Sequence, residues 1–270
     1  MLFIDKTTSI NTQDIAIEEI ASFLTSKKNI TEIISKALRQ AFDEVIDGSR
    51  TGRFKIEQLE KTEKTYIGTK VEIILRNKLS LARGRVLDNF ICGQEVDTKF
   101  SLSGGWMIPK EAVDQICILV KANDNTGLFS IGLLRTTLEN LTTGKNQDGK
   151  RNISAKGKNN ITWLLANESL PRNIMLTLPT EIRELILSPK SGVQRIKALF
   201  TNVTNQLIPR SVIEQVAQQK DALKRAREMK AILAASDYKL VCAAYIDDRK
   251  HFIDHGFENF NDDDWLCIKY

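Results

Sequence analysis

Residues 86–100 leave the folding chain few choices. Two short strand-like runs, 86–92 and 94–100, flank the lone glycine Gly93, a pattern that closes a β-hairpin or a bulge. In the second run Glu95, Asp97 and Lys99 alternate with Val96, Thr98 and Phe100. In a strand the charged set therefore shares one face and the mainly apolar set the other. The apolar face can pack on a core, whereas the charged face is costly to bury unless its members pair or hold a metal. Asp88 lies on the preceding run, where hairpin pairing carries its carboxylate toward Asp97.

The rest of the chain sets the frame around that hairpin. Its 270 residues suggest two domains at about 150 residues each, and 42% hydrophobic with 27% charged residues excludes a disordered or collagen-like chain. Residues 29–48 predict a helix, because Ile30, Ile33, Ile34, Ala37, Leu38, Ala41, Phe42, Val45 and Ile46 recur with helical spacing and Gly48 supplies a stop. A shorter helix is expected over 11–24, a basic turn over 49–53, and an apolar strand pair over 116–122 and 128–134 about the turn 123–127. Residues 142–160 are almost free of large apolar side chains and read as a linker or as a basic loop near a ligand. Beyond Trp163 the pattern turns mainly helical, with a helix over 193–203, a long helix opened by Pro209 and running through Leu223, and a strand over 238–245. The expected fold is thus an α/β (α+β) domain over 1–165, followed by a mainly helical domain over 166–270 compatible with a winged helix-turn-helix.

No apolar stretch approaches the roughly 20 residues of a membrane span, and MLFIDKTTSI has no basic region followed by an apolar one. The four cysteines form no C-x-x-C pair, so reduced thiols in a cytoplasmic protein are expected, with no membrane partner. The net charge of +5 is unevenly spread: residues 190–230 hold nine basic against three acidic side chains, and residues 231–270 hold four against eight. Segregated positive charge suits a polyanion, although solvated helix faces look the same in sequence.

Two carboxylates beside an amine suit phosphodiester hydrolysis. Hard oxygen ligands hold Mg²⁺, with Mn²⁺ able to substitute, and leave positions for water and phosphate oxygens. Asp88 and Asp97 are the candidate metal ligands, Lys99 the group that holds the attacking water and offsets developing charge, and Glu72 a further metal or orienting carboxylate. Spacing alone leaves open a surface strand with an Asp–Lys pair, since a chain with 34 acidic and 39 basic residues contains about five acid-x-base triplets by chance.

The runs GSRTGRFKIEQLEKTEKTYIGTKVEI (48–73), LDNFICGQEVDTKFS (87–101) and GGWMIPKEAV (104–113) resemble the NaeI family of type II restriction endonucleases. That family sits in the D-(D/E)-x-K nuclease superfamily and is akin to the MutH repair nickase. The likeness continues through IGLLR (131–135), GKNQDGKRNIS (144–154) and ITWLL (161–165), and more faintly through GVQRIKALF and QQKDALKRAR. It implies that the metal and catalytic positions fall on Glu72, Asp88, Asp97 and Lys99. It also implies a restriction-endonuclease-like catalytic domain with a mixed sheet, a C-terminal winged-helix DNA-binding domain, homodimerisation, and a second DNA copy as effector. Concerted cutting of both strands of a palindrome independently calls for a two-fold pair of sites.

For contact with double-stranded DNA the candidates are Arg50 and Arg53 about Gly52, then Arg210, Ser211, Gln215 and Gln218 in the first turns of the Pro209 helix. Lys224 and Arg225, farther along with Lys220 and Arg227, suit phosphates. Val45-Ile46-Asp47-Gly48 has the outline of the ligase K-x-D-G motif, but valine cannot form the phosphoramide. His251 and His255 could share one helical face, yet nothing nearby completes a zinc site. The competing expectations are a MutH-like nicking endonuclease and a non-catalytic DNA-binding regulator.

Overall fold

The computed structural model describes residues 14–270. Residues 11–13 of the first expected helix, and the segment read for a leader, lie outside the described residues. The chain divides into two compact units, each discontinuous in sequence. Unit 1 comprises the described residues up to Ser35 together with Glu72–Ala122 and Leu128–Ser169; unit 2 comprises Lys36–Val71, Asn123–Gly127 and Leu170–Tyr270. Segments 36–71 and 123–127, which a linear division at 165/166 puts in the first domain, group with the C-terminal half.

Helix α1 (Ile15–Thr25) opens on Asp14, whose side chain accepts from the Ile17 N–H, and it buries Ile17, Ile20 and Leu24. Helix α2 (Ile30–Ile46) buries the apolar face that its periodicity marks, including Leu38, Ala41 and Phe42. Its stop is Asp47, left-handed at φ 47°, rather than Gly48, which begins the single-turn helix α3 (Gly48–Thr51). Gly48 is required for packing instead, since a Cβ there would lie 2.7 Å from the Arg53 carbonyl oxygen and from the Gln215 side chain. Helix α4 (Lys61–Lys78) follows, its first half in unit 2 and its end in unit 1.

Along unit 1 the strands are β1 (Ala82–Arg83), β2 (Asn89–Ile91), β3 (Gln94–Ser101), β4 (Met107–Ile108), β5 (Ile116–Asn123), β6 (Leu128–Arg135), β7 (Arg151–Asn152) and β8 (Thr162–Ser169). Strands β4 and β7 pair as a separate ribbon, and the others form one sheet in the order β1-β2-β3-β5-β6-β8. The sheet is mixed: β2 pairs antiparallel with β1 and β3, β3 runs parallel to β5, and β8 is antiparallel to β6. Strand β5 is buried over nearly its whole length, as a central strand covered on both faces must be. Trp106 lies in the core with Ile108, Leu119 and Leu134, and its indole N–H donates to the Val120 carbonyl at 3.0 Å.

Residues 142–160 are not a linker. They return along unit 1 through a bridge between Leu141 and Ile153, the β4–β7 ribbon and the short helix α5 (Ala155–Asn159), which Ser154 caps. The segment looked structureless because its order comes from backbone pairing and capping rather than from apolar periodicity.

In unit 2, helices α6 (Ile174–Thr177), α7 (Thr180–Leu187) and α8 (Gly192–Asn202) lead to strand β9 (Leu207–Ile208) and helix α9 (Arg210–Ala217). Helix α10 (Ala222–Ala234), strand β10 (Tyr238–Cys242), helix α11 (Ile246–Asp254) and strand β11 (Trp265–Lys269) complete it. The three strands form an antiparallel sheet with β11 central. The single long helix expected from Pro209 is two helices, because Gln218 turns left-handed at φ 50° and ends α9. The buried sets explain the break. Val212, Ile213 and Val216 and Ala222, Ala226, Met229 and Leu233 would point roughly 115° apart on one straight helix. No helix among the described residues is long and apolar enough to cross a membrane, and the four cysteines are free thiols.

Candidate functional site

The site in unit 1 starts from a two-residue turn. Cys92 and Gly93 both adopt positive φ, 48° and 79°, the type I′ geometry whose twist matches a hairpin. That turn sets the register Ile91↔Gln94, Phe90↔Glu95 and Asn89↔Val96, and one further step places Asp88 across from Asp97. The Asp88 carboxylate is anchored there by the Thr98 N–H, which donates to Oδ2 at 2.8 Å. Lys99 Nζ stands 2.7 Å from Asp97 Oδ2. Helix α4 delivers Glu72, whose carboxylate meets that of Asp88. One turn on, Arg76 Nη1 donates to Glu72 Oε1 and to the Asp88 carbonyl, both at 3.1 Å. The structure therefore brings Glu72, Asp88, Asp97 and Lys99 into one continuous row.

Their electrostatics follow from crowding negative charge in a dry place. Asp97 is 3% exposed; burial, and then its hydrogen bond with Asp88, push its pKa up to about 7 against the pull of Lys99. Glu72 is raised by burial and by Asp88, with Arg76 opposing. Burial works to lower the Lys99 pKa, but the charge and hydrogen bond of Asp97 and the charge of Asp88 together outweigh it, so the ammonium is held above its ordinary range. Behind Asp97, its β5 neighbour Cys117 sits 4.0 Å from Oδ2. Burial pushes that thiol up to about 12, so it forms a neutral wall.

This donor set suits a hard divalent cation. The carboxylates form a row rather than a closed cage; among the described residues no three His, Cys, Asp or Glu side chains converge as one. A site with one or two carboxylates, completed by water and phosphate oxygens, is how Mg²⁺ is usually held. An added positive charge would also relieve the repulsion that raises Asp97.

Glu95 separates from Asp97 and Lys99, with which alternation grouped it. Its carboxylate accepts from the N–H groups of Arg85 at 2.8 Å, Val86 at 3.2 Å and Leu87 at 2.9 Å, which holds its pKa low. Neither this role nor that of Arg76 was read from the sequence. The i, i+4 spacing of Glu72 and Arg76 is the signal that could have found the second.

The residues expected to meet DNA all lie in unit 2. Arg50 on α3 is 85% exposed, with a long 3.5 Å pairing to Asp47. Arg53 is engaged internally, with both terminal nitrogens 2.9 Å from the Glu63 carboxylate and further bonds to the Ile46 carbonyl. Gln215 is buried, its amide accepting from Asn173 at 3.0 Å and donating to the Arg53 carbonyl. Ser211 bonds to Asp43, and Arg210 pairs with Glu214 at 2.7 Å. Gln218 is exposed but abuts Gly52, where a Cβ would lie 2.6 Å from its amide nitrogen. On α10, Arg225 pairs with Glu228 at 2.8 Å while Lys224 and Arg227 are exposed. His255 Nδ1 contacts the His251 carbonyl at 2.8 Å, and among the described residues no group of three metal-ligating side chains forms around the two histidines.

Comparison with known proteins bears on most of the chain. A family model described as restriction endonuclease NaeI matches residues 18–251. The type II restriction enzyme NaeI of Lentzea aerocolonigenes is 39% identical over 198 residues, an alignment covering 70% of this chain and 62% of that enzyme. The matched region thus spans less than two thirds of the relative's length.

Proposed function

We propose, from the fact that this chain belongs to the NaeI restriction endonuclease family, that it is a type II restriction endonuclease cutting double-stranded DNA at specific sites. The observation that carries the reading is the row itself. A lysine ammonium lies 2.7 Å from a buried aspartate, which shares a hydrogen bond with a second aspartate, which meets a glutamate.

Asp88 and Asp97 would hold a divalent metal, Mg²⁺ by preference, with Glu72 assisting. Bound there, the metal would polarise the phosphate and lower the pKa of a ligated water. Lys99 remains protonated and donates hydrogen bonds to the attacking water and to the phosphate oxygen on which charge develops. Asp97 keeps that ammonium in place, and Arg76 orients both Glu72 and the backbone of Asp88.

For the C-terminal part we propose a winged-helix DNA-binding role. Support comes from the order α8, β9, α9, turn, α10, β10, α11, β11, in which α11 separates the last two strands, with β11 between the other two strands of the sheet, and from the exposed Lys224 and Arg227 on the second helix of the pair. Homodimerisation and a second DNA copy as effector belong to the same proposal.

The test is incubation with a plasmid library and Mg²⁺, followed by sequencing of the cut ends. Discrete double-strand ends at one palindrome are expected, and Asp97→Ala or Lys99→Ala should abolish them while DNA binding persists. Nicked circles at every enzyme concentration would point to a nickase. Specific binding without Mg²⁺-stimulated hydrolysis would overturn the enzyme reading.

A further inference from the structure

We infer that Glu95 is a positioning residue for the metal site: by gathering the backbone of the 84–88 loop it sets where Asp88 points. This rests on the nuclease reading above and extends it to a residue outside the catalytic row.

Strands β1 and β2 pair as Ala82↔Phe90 and Arg83↔Asn89, so residues 84–88 form the loop of a hairpin, and Asp88 sits at its end, before the first β2–β3 pair. Within the loop one long backbone bond, from the Gly84 N–H to the Asp88 carbonyl at 3.4 Å, ties its two ends, and ladder pairing leaves the N–H groups of residues 85–87 to other partners. Glu95, on the next strand, reaches across to it. One carboxylate takes three successive N–H groups, those of Arg85, Val86 and Leu87, closing an anion nest that stops at the residue before Asp88. The fit is close: a Cβ on Gly84 would fall 2.5 Å from Glu95 Oε2 and 2.4 Å from the Leu87 carbonyl oxygen.

From the other side the Asp88 carbonyl accepts from Arg76, and the Asp88 carboxylate accepts from Thr98. Asp88 is thus held at its carbonyl, its carboxylate and the backbone leading into it, the last by the N–H bonds to Glu95 together with the buried side chain of Leu87. Charge-assisted bonds to backbone N–H groups are strong and directional. Residues that orient metal-ligating carboxylates typically change metal affinity by roughly 10–100-fold when removed. Val86, at the crest of the loop, is 73% exposed while Leu87 is buried, so packing holds the end of the loop and the nest holds its crest.

The experiment is calorimetric titration of the metal-free full chain with Mn²⁺, for the parent, Glu95→Gln and Glu95→Ala. Urea unfolding in EDTA and steady-state cleavage accompany it. Glutamine keeps the reach and one acceptor oxygen without the charge. The expected order of Mn²⁺ affinity is parent, then Gln, then Ala, with Ala weakened at least roughly tenfold, kcat falling in step and KM for DNA staying within about twofold. A purely structural cap would lower the unfolding midpoint and leave Mn²⁺ affinity and kcat unchanged in the folded variants, and that result overturns the inference. If Glu95→Ala gives no cooperative unfolding, Glu95→Gln carries the test by the same criterion. A parent chain that neither takes up Mn²⁺ nor cleaves any DNA overturns the nuclease reading, and the inference with it.

Discussion

Asp97→Asn should stabilise the metal-free protein while destroying its activity, and the size of the gain follows from the site. Asparagine keeps both contacts: Oδ1 accepts from Lys99 and Nδ2 donates to Asp88. Only the buried negative charge is lost. In the folded chain Asp97 is raised from 3.8 to about 7, so its favourable contribution is fully present below pH 3.8 and disappears as pH rises through 7. Above that pH, holding the ionised group in the fold costs up to roughly 4 kcal/mol. The stability gap between variant and parent should therefore widen by about 1.4 kcal/mol per pH unit from pH 4 to 7 and level off beyond. At pH 8 it corresponds to an increase in Tm of roughly 8–16 °C. Urea unfolding of both proteins in EDTA at pH 5, 6, 7 and 8 reads the gap directly, and cleavage in Mg²⁺ reads the loss. Parallel stability curves across that range would refute the premise that crowding and burial strain Asp97. Gain of stability with loss of function is the mark of a residue kept for chemistry.

In unit 2, Arg39 bridges Asp43 at 2.8 Å and Asp124 at 2.6 Å, and Asp124→Ala leaves a largely buried guanidinium one partner short. Thermal unfolding should show a loss of about 3–5 kcal/mol, part of it recovered in the Arg39→Met, Asp124→Ala double variant. Gly48→Ala forces its Cβ against the Arg53 carbonyl and Gln215, so a loss of about 1–3 kcal/mol in urea unfolding is expected; an unchanged midpoint would mean that α3 shifts freely. Lys224→Ala should weaken DNA binding similarly on all sequences and reduce the salt slope by about one, measured by fluorescence anisotropy in Ca²⁺.

Legible in the amino-acid order alone was whatever is encoded within a few consecutive residues. Alternation about Gly93 marked the hairpin that sets Asp88 against Asp97, helical spacing marked the buried face of α2, and the family-like runs carried Glu72, Asp88, Asp97 and Lys99. Local pattern suffices there because strand and helix periods are properties of consecutive residues. It misled where the deciding partner is remote or is backbone. The Pro209 helix breaks at Gln218 because its two apolar stripes cannot face one core. The glycine-rich stretch 142–160 is ordered by pairing with β4 and by a cap. Gln215, which looked free to read bases, is buried against Arg53 and Asn173, 162 and 42 residues away. Glu95 was grouped by alternation with Asp97, yet its carboxylate is held by three backbone N–H groups. Backbone donors are the same at every position and leave no trace in composition, so only the folded chain could say which side chain they would capture.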